Sequence, residues 1–138
     1  MTRPEPHAGM NLLIAITATA AGGALGAVFR FLVSTWFGTR FGPGFPWGTF
    51  VVNVSGAFLV GVVLQLAATR PGFSPYLRVF LATGILGGYT TFSAFAYETY
   101  GLGTAGFTAQ SLAYAAGSVV AGLGAVYAGV TLVRAVHP

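Results

Sequence analysis

The chain has 138 residues, of which 55% are apolar and 6% are charged, with a net charge of +4 and no cysteine. Soluble domains usually carry about a quarter charged residues, so this composition excludes a mainly water-facing surface and predicts a single domain with lipid as its principal solvent. The absence of cysteine excludes a disulfide framework and a thiolate metal site.

Residues 1–10 are polar and include two prolines. We predict that they form a disordered tail before a single four-helix transmembrane domain at residues 11–138. A cleaved signal peptide is not expected, because the first apolar run is too long and lacks a clear cleavage site.

Four apolar stretches, each near the roughly 20 residues that cross a bilayer, predict four transmembrane helices. They cover residues 11–37, 47–69, 76–100 and 110–136. Glycine and proline mark the connections, and aromatic residues mark the ends of the stretches, as in membrane interface belts. The chain is therefore predicted to be an all-α integral membrane protein.

The arginines, which are the only basic side chains besides histidine, test the orientation of these helices. Four spans place both termini on one side, together with the connection between the second and third spans. That side holds Arg3, Arg70, Arg78 and Arg134. The other side holds Arg40, and Arg30 if it reaches the interface. This bias favours termini inside the cell, and such few, scattered arginines do not predict nucleic-acid binding.

Small residues recur at the spacing of close helix contacts. Gly22 and Gly26 are four apart, as are Gly84 and Gly88, and Ala121, Ala125 and Gly129 repeat the pattern in the fourth span. This spacing predicts close helix packing, with dimerisation through one of these faces as a sharper alternative.

The middle of the third stretch is crowded with residues that disfavour a regular helix. They are Gly84, Gly87, Gly88, Thr90, Thr91 and Ser93. Glycine is costly inside a helix, and threonine can bond its own backbone. Broken backbone at membrane depth survives only where protein or a cavity surrounds it, and its free carbonyls and amides can meet ions. A break and an unbroken packing face remain open from spacing alone.

Polar and aromatic residues at membrane depth are the other candidates. The amide of Asn53 either donates to a small anion or forms an interhelical hydrogen bond. Phe92 and Phe95 share a helix face and either line an anion path with their ring edges or pack against lipid or core. Tyr114 and Ser118 form either a polar track or bonds to the carbonyls four residues earlier.

Two ionisable residues lie within the apolar stretches. Arg30 is either functional or anchored at an interface by snorkelling. Glu98, the only acid outside the tail, either pairs with an arginine or carries a proton. No nucleotide-binding loop or metal-spaced cluster of His and Cys is present, and His7 and His137 are both terminal, so an enzyme is not predicted.

Taken together, these residues resemble the Fluc (also called CrcB) family of fluoride channels. The matching stretches are residues 22–30 (GGALGAVFR), 46–53 (PWGTFVVN) and 83–95 (TGILGGYTTFSAF), followed by Glu98 and Thr99. Only the N-terminal tail lies outside the resemblance.

The resemblance implies passive export of cytoplasmic fluoride by an antiparallel, dual-topology homodimer with two pores in the prokaryotic plasma (inner) membrane. It also implies a third helix that is broken mid-membrane and a structural sodium ion (Na⁺) at the dimer centre, held by the backbone carbonyls of Gly87 and Thr90 at that break. The fluoride pore residues that it implies are Asn53, Phe92, Phe95, Tyr114, Ser118, Thr91, Ser93 and Arg30. A further track position falls on Gly122, which departs from the serine that is common there, and the arginine bias departs from ideal dual topology.

Two other functions compete with this one. A small proton-coupled multidrug exporter needs a membrane-embedded carboxylate, for which Glu98 is the candidate. The other is a membrane assembly subunit, in which Asn53 and a broken helix would have no purpose beyond packing.

Overall fold

In a computed structural model, the structure describes residues 10–136, and within this range every regular element is helical. Four helical spans are long and apolar enough to cross a membrane. They are α1 (Leu12–Phe41), α2 (Trp47–Thr69), a composite third span (Pro75–Thr104) and α6 (Thr108–Val136). The prediction of an all-α, four-span membrane protein is confirmed, whereas the predicted tail lies outside the described residues except for Met10.

The third span contains four elements. The short helix α3 (Pro75–Arg78) leads into a π-helical segment (Val79–Leu86), which continues as α4 (Gly87–Tyr89). After two extended residues the span resumes as α5 (Phe92–Thr104). Wide π turns are rare but are frequent at functional sites, and no residue pattern in the sequence predicted this one.

The helix ends follow from local side-chain chemistry. Oδ1 of Asn11 accepts from the amides of Leu13 at 3.0 Å and Ile14 at 3.4 Å, which caps α1. Oγ of Ser74 accepts from the amide of Leu77 at 3.4 Å, and Pro75 follows as the first helical residue. These caps fix where the first and third spans begin.

The predicted boundaries were correct for the second span and short for the others. α1 continues past residue 37 to Phe41, and α5 continues through Gly101, which was predicted to begin a connection, to Thr104. Helix hydrogen bonding does not stop where the apolar run stops, so helices extend into the interface beyond the hydrocarbon.

Two groups of helix contacts hold the spans together, and the third span belongs to both groups. α1 lies along the π-helical segment and α4, whereas α2 lies along α6, and α5 packs on α6. Within residues 10–136, the backbone of α1 does not approach that of α5 or α6. The third span therefore exchanges α1 for α6 as a neighbour at the break, whereas α2 contacts both of its halves.

Glycine contacts hold α1 against the third span, as the small-residue spacing predicted. A Cβ added at Gly26 would collide with the carbonyl of Ile85, and one at Gly88 with the carbonyl of Gly23. Only glycine permits backbones to approach this closely. The prediction of close helix packing is confirmed at these positions.

Few side chains are buried inside a single chain. The buried apolar side chains are Ala15, Val52, Leu86, Tyr114 and Val133. Large apolar side chains are exposed on every span, as expected for a surface that faces lipid or another membrane chain.

Candidate functional site

The third span is broken at two residues. Thr90 (φ −77°, ψ 156°) and Thr91 (φ −150°, ψ 118°) are extended, between Tyr89 at the end of α4 and Phe92 at the start of α5. The structure thus confirms a break in the third helix. It is narrower than the predicted interruption, because Gly87 and Gly88 remain helical.

Asn53, on α2, closes this break. Its Nδ2 donates to the Thr91 carbonyl at 3.0 Å, and its Oδ1 accepts from the Thr91 amide at 2.8 Å. The interhelical hydrogen bond considered for Asn53 is therefore present, and its partner is backbone. One Nδ2 hydrogen remains for another acceptor, because an amide nitrogen carries two.

The Thr91 side chain caps α5, because its hydroxyl accepts from the amide of Ala94 at 3.2 Å. In a continuous helix the Thr91 amide would donate to Gly87 and the Ala94 amide to Thr90. Both amides are turned to side chains instead. The carbonyls of Gly87 and Thr90 therefore lose their usual helical donors.

Arg30 forms a hydrogen bond with a third carbonyl at the same helix end. Its Nε donates to the Gly88 carbonyl at 3.1 Å, in a half-buried contact between α1 and α4. The last carbonyls of a helix carry partial negative charge, which a guanidinium offsets. Arg30 therefore contacts the helix end at the break, and its role is not limited to anchoring at the membrane interface. It is absent from the cavity beside Phe92 and Phe95.

A cavity of about 270 Å³ lies on one side of the break. Its lining brings together five of the predicted pore residues, Asn53, Thr91, Phe92, Phe95 and Ser118. The Oγ of Ser118 is buried and has no hydrogen-bond partner among the described residues. An unpartnered buried hydroxyl is costly, so this atom points to a ligand or water in the cavity.

The two phenylalanines contact each other at the edge of this cavity. Their ring centroids are 5.6 Å apart, and the rings are tilted by 49°. Phe92 is 78% exposed, whereas Phe95 is half-buried and lies 5.3 Å from the ring of Tyr114. The cavity is therefore open on the Phe92 side.

Tyr114 is buried beside the cavity and engages Glu98. Its hydroxyl donates to Oε2 of Glu98 at 2.8 Å, and the Thr49 hydroxyl donates to Oε1 at 2.7 Å. Among the described residues Glu98 has hydroxyl partners and no ion pair, so the suggested pairing with an arginine is wrong. Neither Tyr114 nor Ser118 bonds to a carbonyl four residues earlier.

The remaining predicted residues lie around this site. The exposed Ser93 hydroxyl is 3.3 Å from the Thr91 hydroxyl, and open space surrounds Gly122. Gly87 and Thr90 line a second cavity, of about 300 Å³, which they share with Asn53 and Gly56. Asn53 and Thr90 thus line both cavities.

Two polar contacts near the site were missed at the sequence level. Thr49 reaches Glu98, and the hydroxyl of Ser55 lies 3.0 Å from that of Tyr89. Thr49 and Asn53 are four apart, so they share a face of α2. That shared face was the one available signal for a polar cluster.

Comparison with known proteins places this site in context. Residues 17–130 match the family described as CrcB-like protein, Camphor Resistance (CrcB). Fluoride-specific ion channel FluC of Rhizobium meliloti is 51% identical over 120 residues, covering 87% of this chain and 96% of the relative. The protein of the same name from Nitrobacter winogradskyi is 49% identical, covering 88% and 96%. That of Leptospira interrogans is 42% identical, covering 91% and 98%.

Proposed function

The chain belongs to the family of CrcB-like proteins, and we propose that it is a multi-pass membrane channel that passively exports fluoride rather than an enzyme. The observation that carries the proposal is the cavity beside the break, whose lining brings Ser118, with its buried and unpartnered hydroxyl, together with Asn53 and Phe95. The names of the relatives indicate that the transported ion is fluoride.

The lining fits a small, strongly hydrated anion. The Ser118 hydroxyl and the second Nδ2 hydrogen of Asn53 are donors that replace water. The edges of Phe92 and Phe95 carry the positive part of the aromatic quadrupole. No fixed cation is among the cavity's lining residues, so binding stays weak enough for the ion to leave, as conduction requires.

We infer that the working unit is an antiparallel homodimer. The cavity is open where Phe92 is 78% exposed, and an anion path cannot open directly onto hydrocarbon. A second copy of the chain, packed on this side, would close the path. Two copies give two such cavities and hence two pores.

We further propose that the carbonyls of Gly87 and Thr90 hold a structural sodium ion. Carbonyl oxygen suits hard cations, and unwound carbonyls at broken membrane helices are typical sodium ligands. Both carbonyls lack their helical donors, because Asn53 and the Thr91 hydroxyl take the amides. Both residues also line one cavity that does not include Phe92 and Phe95, and Thr90 lies between this cavity and the one beside those rings. When bound, the ion would offset the negative end of α4.

Fluoride efflux from liposomes, followed with a fluoride electrode, tests the proposed function. Wild-type protein is expected to release fluoride, and Ser118→Ala to slow release about tenfold through loss of one hydrogen bond to the ion. Phe95→Ile is expected to slow it as well, whereas Phe107→Ile, at an exposed position outside the cavity, serves as the matched control. No release from folded, reconstituted protein would contradict the proposal.

The multidrug exporter alternative depends on Glu98. Both of its carboxylate oxygens are occupied by hydroxyl donors, and an exchanger needs that carboxylate free for cation and proton in turn. Export of cationic dyes that Glu98→Gln abolishes, with no fluoride release from wild-type protein, would establish the alternative.

A further inference from the structure

Two grooves flank the start of the third span. One, of about 550 Å³, lies between α1 and the third span and is lined by apolar residues that include Ile16 and Ala20. The other, of about 370 Å³, lies between α2 and the third span. They share Met10, Val79 and Thr83. Together they form a forked groove that straddles the π-helical segment.

The forked groove has an interfacial end and a deep end. α1 and the third span are first and third in a chain of four spans, so they enter the membrane from the same side. From Leu12 to Ala20, both lining residues, α1 rises about 12 Å at about 1.5 Å per residue. This depth lies within one leaflet of a hydrocarbon core of about 30 Å.

Arg78 lines the α2 arm at the interfacial end. Its side chain is exposed and makes no hydrogen bond or ion pair with the residues that the structure describes. Arg134, near the end of α6, lies on the same side of the membrane. Glu98, the only acid in residues 10–136, is held by Thr49 and Tyr114. Positive charge thus meets two apolar arms at headgroup level.

We propose that the forked groove binds one anionic phospholipid, with an acyl chain in each arm and the phosphate beside Arg78. Charge complementarity selects this occupant, because a juxtamembrane arginine attracts anionic headgroups whereas a second apolar helix face would leave Arg78 unpaired. The site is separate from the cavity beside Phe92 and Phe95, so it does not depend on the fluoride function.

Native mass spectrometry of the purified full chain, titrated with phosphatidylglycerol or phosphatidylcholine, tests the proposal. Wild-type protein is expected to retain phosphatidylglycerol in preference to phosphatidylcholine. Arg78→Gln is expected to weaken its binding about fivefold, the effect of one arginine at a headgroup. Arg40 is an exposed arginine in the last turn of α1. Arg40→Gln is therefore the matched control and should leave binding of phosphatidylglycerol unchanged. Equal retention of the two lipids, or equal losses in both variants, would overturn the proposal.

A second pair of variants tests the apolar arm. Ala20→Phe fills the α1 arm and is expected to weaken binding of both lipids without changing their ratio. Ala24→Phe, one turn further along the exposed face and outside the groove, should leave binding unchanged. If Ala20→Phe instead converted a dimer to monomers with lipid retention intact, the groove would be a contact between chains and the lipid proposal would be wrong.

Discussion

Asn53 and Thr91 are joined by a reciprocal pair of hydrogen bonds, in which one side-chain amide serves both polar groups of one peptide residue. The distances are 3.0 Å from Nδ2 to the Thr91 carbonyl and 2.8 Å from the Thr91 amide to Oδ1. An asparagine can do this because its terminal group is itself an amide. The extended segment at Thr91 therefore keeps hydrogen bonding that the helix no longer provides.

Replacement of Asn53 by alanine is expected to destabilise the fold by about 2 kcal/mol or more, because two backbone groups at membrane depth lose their partners. The free energy of unfolding in detergent measures the effect. Thr69→Ala is the control, since the exposed Thr69 hydroxyl bonds only within its own helix. Equal stability of the two variants would show that Asn53 does not support the break.

Removal of the Arg30 guanidinium in Arg30→Met is expected to cost about 1.5–3 kcal/mol, the range for hydrogen bonds made by charged groups. The Gly88 carbonyl loses its donor and the end of α4 loses its compensating charge. Thermal unfolding in detergent provides the readout. Arg40→Met, at an exposed position, should change stability by less than about 0.5 kcal/mol.

Gly26 and Gly23 form a matched pair for the contact of α1 with the third span. Gly26→Ala is expected to destabilise by about 1–3 kcal/mol or more, because its Cβ would overlap the Ile85 carbonyl. Gly23→Ala meets no atom within 4 Å of its Cβ, so it should stabilise α1 by up to about 1 kcal/mol. Yield of folded protein and unfolding free energy distinguish them, and the reverse order would place the contact elsewhere.

The substitution Thr49→Val keeps the shape of the side chain and removes its hydroxyl. Oε1 of Glu98 would lose a hydrogen bond of 2.7 Å, at an expected cost of about 1.5–3 kcal/mol. Chemical denaturation would record it. Thr17→Val is the comparison, because the exposed Thr17 hydroxyl bonds a carbonyl of its own helix and should contribute little.

Sodium withdrawal tests the proposed cation site without a flux measurement. If Gly87 and Thr90 bind sodium, the melting temperature should rise with the logarithm of sodium concentration above the dissociation constant. N-methylglucamine should not replace sodium at equal ionic strength. A melting temperature that is independent of sodium would remove the cation from the proposal.

Apolar run length was sufficient to predict the four spans, and the helix-breaking residues marked where a break could lie, although spacing alone left an unbroken packing face open. The second span was predicted to its end residues, and the break fell inside the predicted glycine–threonine cluster. Both depend on local composition, which sequence displays directly. Which residues of this cluster leave the helix was not predictable, because it depends on tertiary packing: Gly88, for example, stays helical against Gly23 of α1.

Hydrogen-bond partners that lie far apart in the chain could not be predicted from local composition. Asn53 could be identified as a costly buried amide, but its bond to Thr91 joins residues 38 positions apart. An arginine was one of two roles considered for Glu98, the other being a proton carrier, whereas Thr49 and Tyr114 are its partners from two other helices. Charge alone favours an arginine, and only the packing of three helices brings hydroxyls close enough to replace one.

The break also has a consequence for how the protein is made. Arg30 and Asn53, which hold the Gly88 carbonyl and the Thr91 peptide groups, both precede the third span in the chain. Synthesis from the N-terminus therefore delivers α1 and α2 to the bilayer before the interrupted segment leaves the ribosome. Exposed peptide groups in hydrocarbon are costly, and here their partners are in place when the segment arrives. Chain order thus lets the third span enter lipid when the partners of its broken segment are already in the bilayer, before α6 follows.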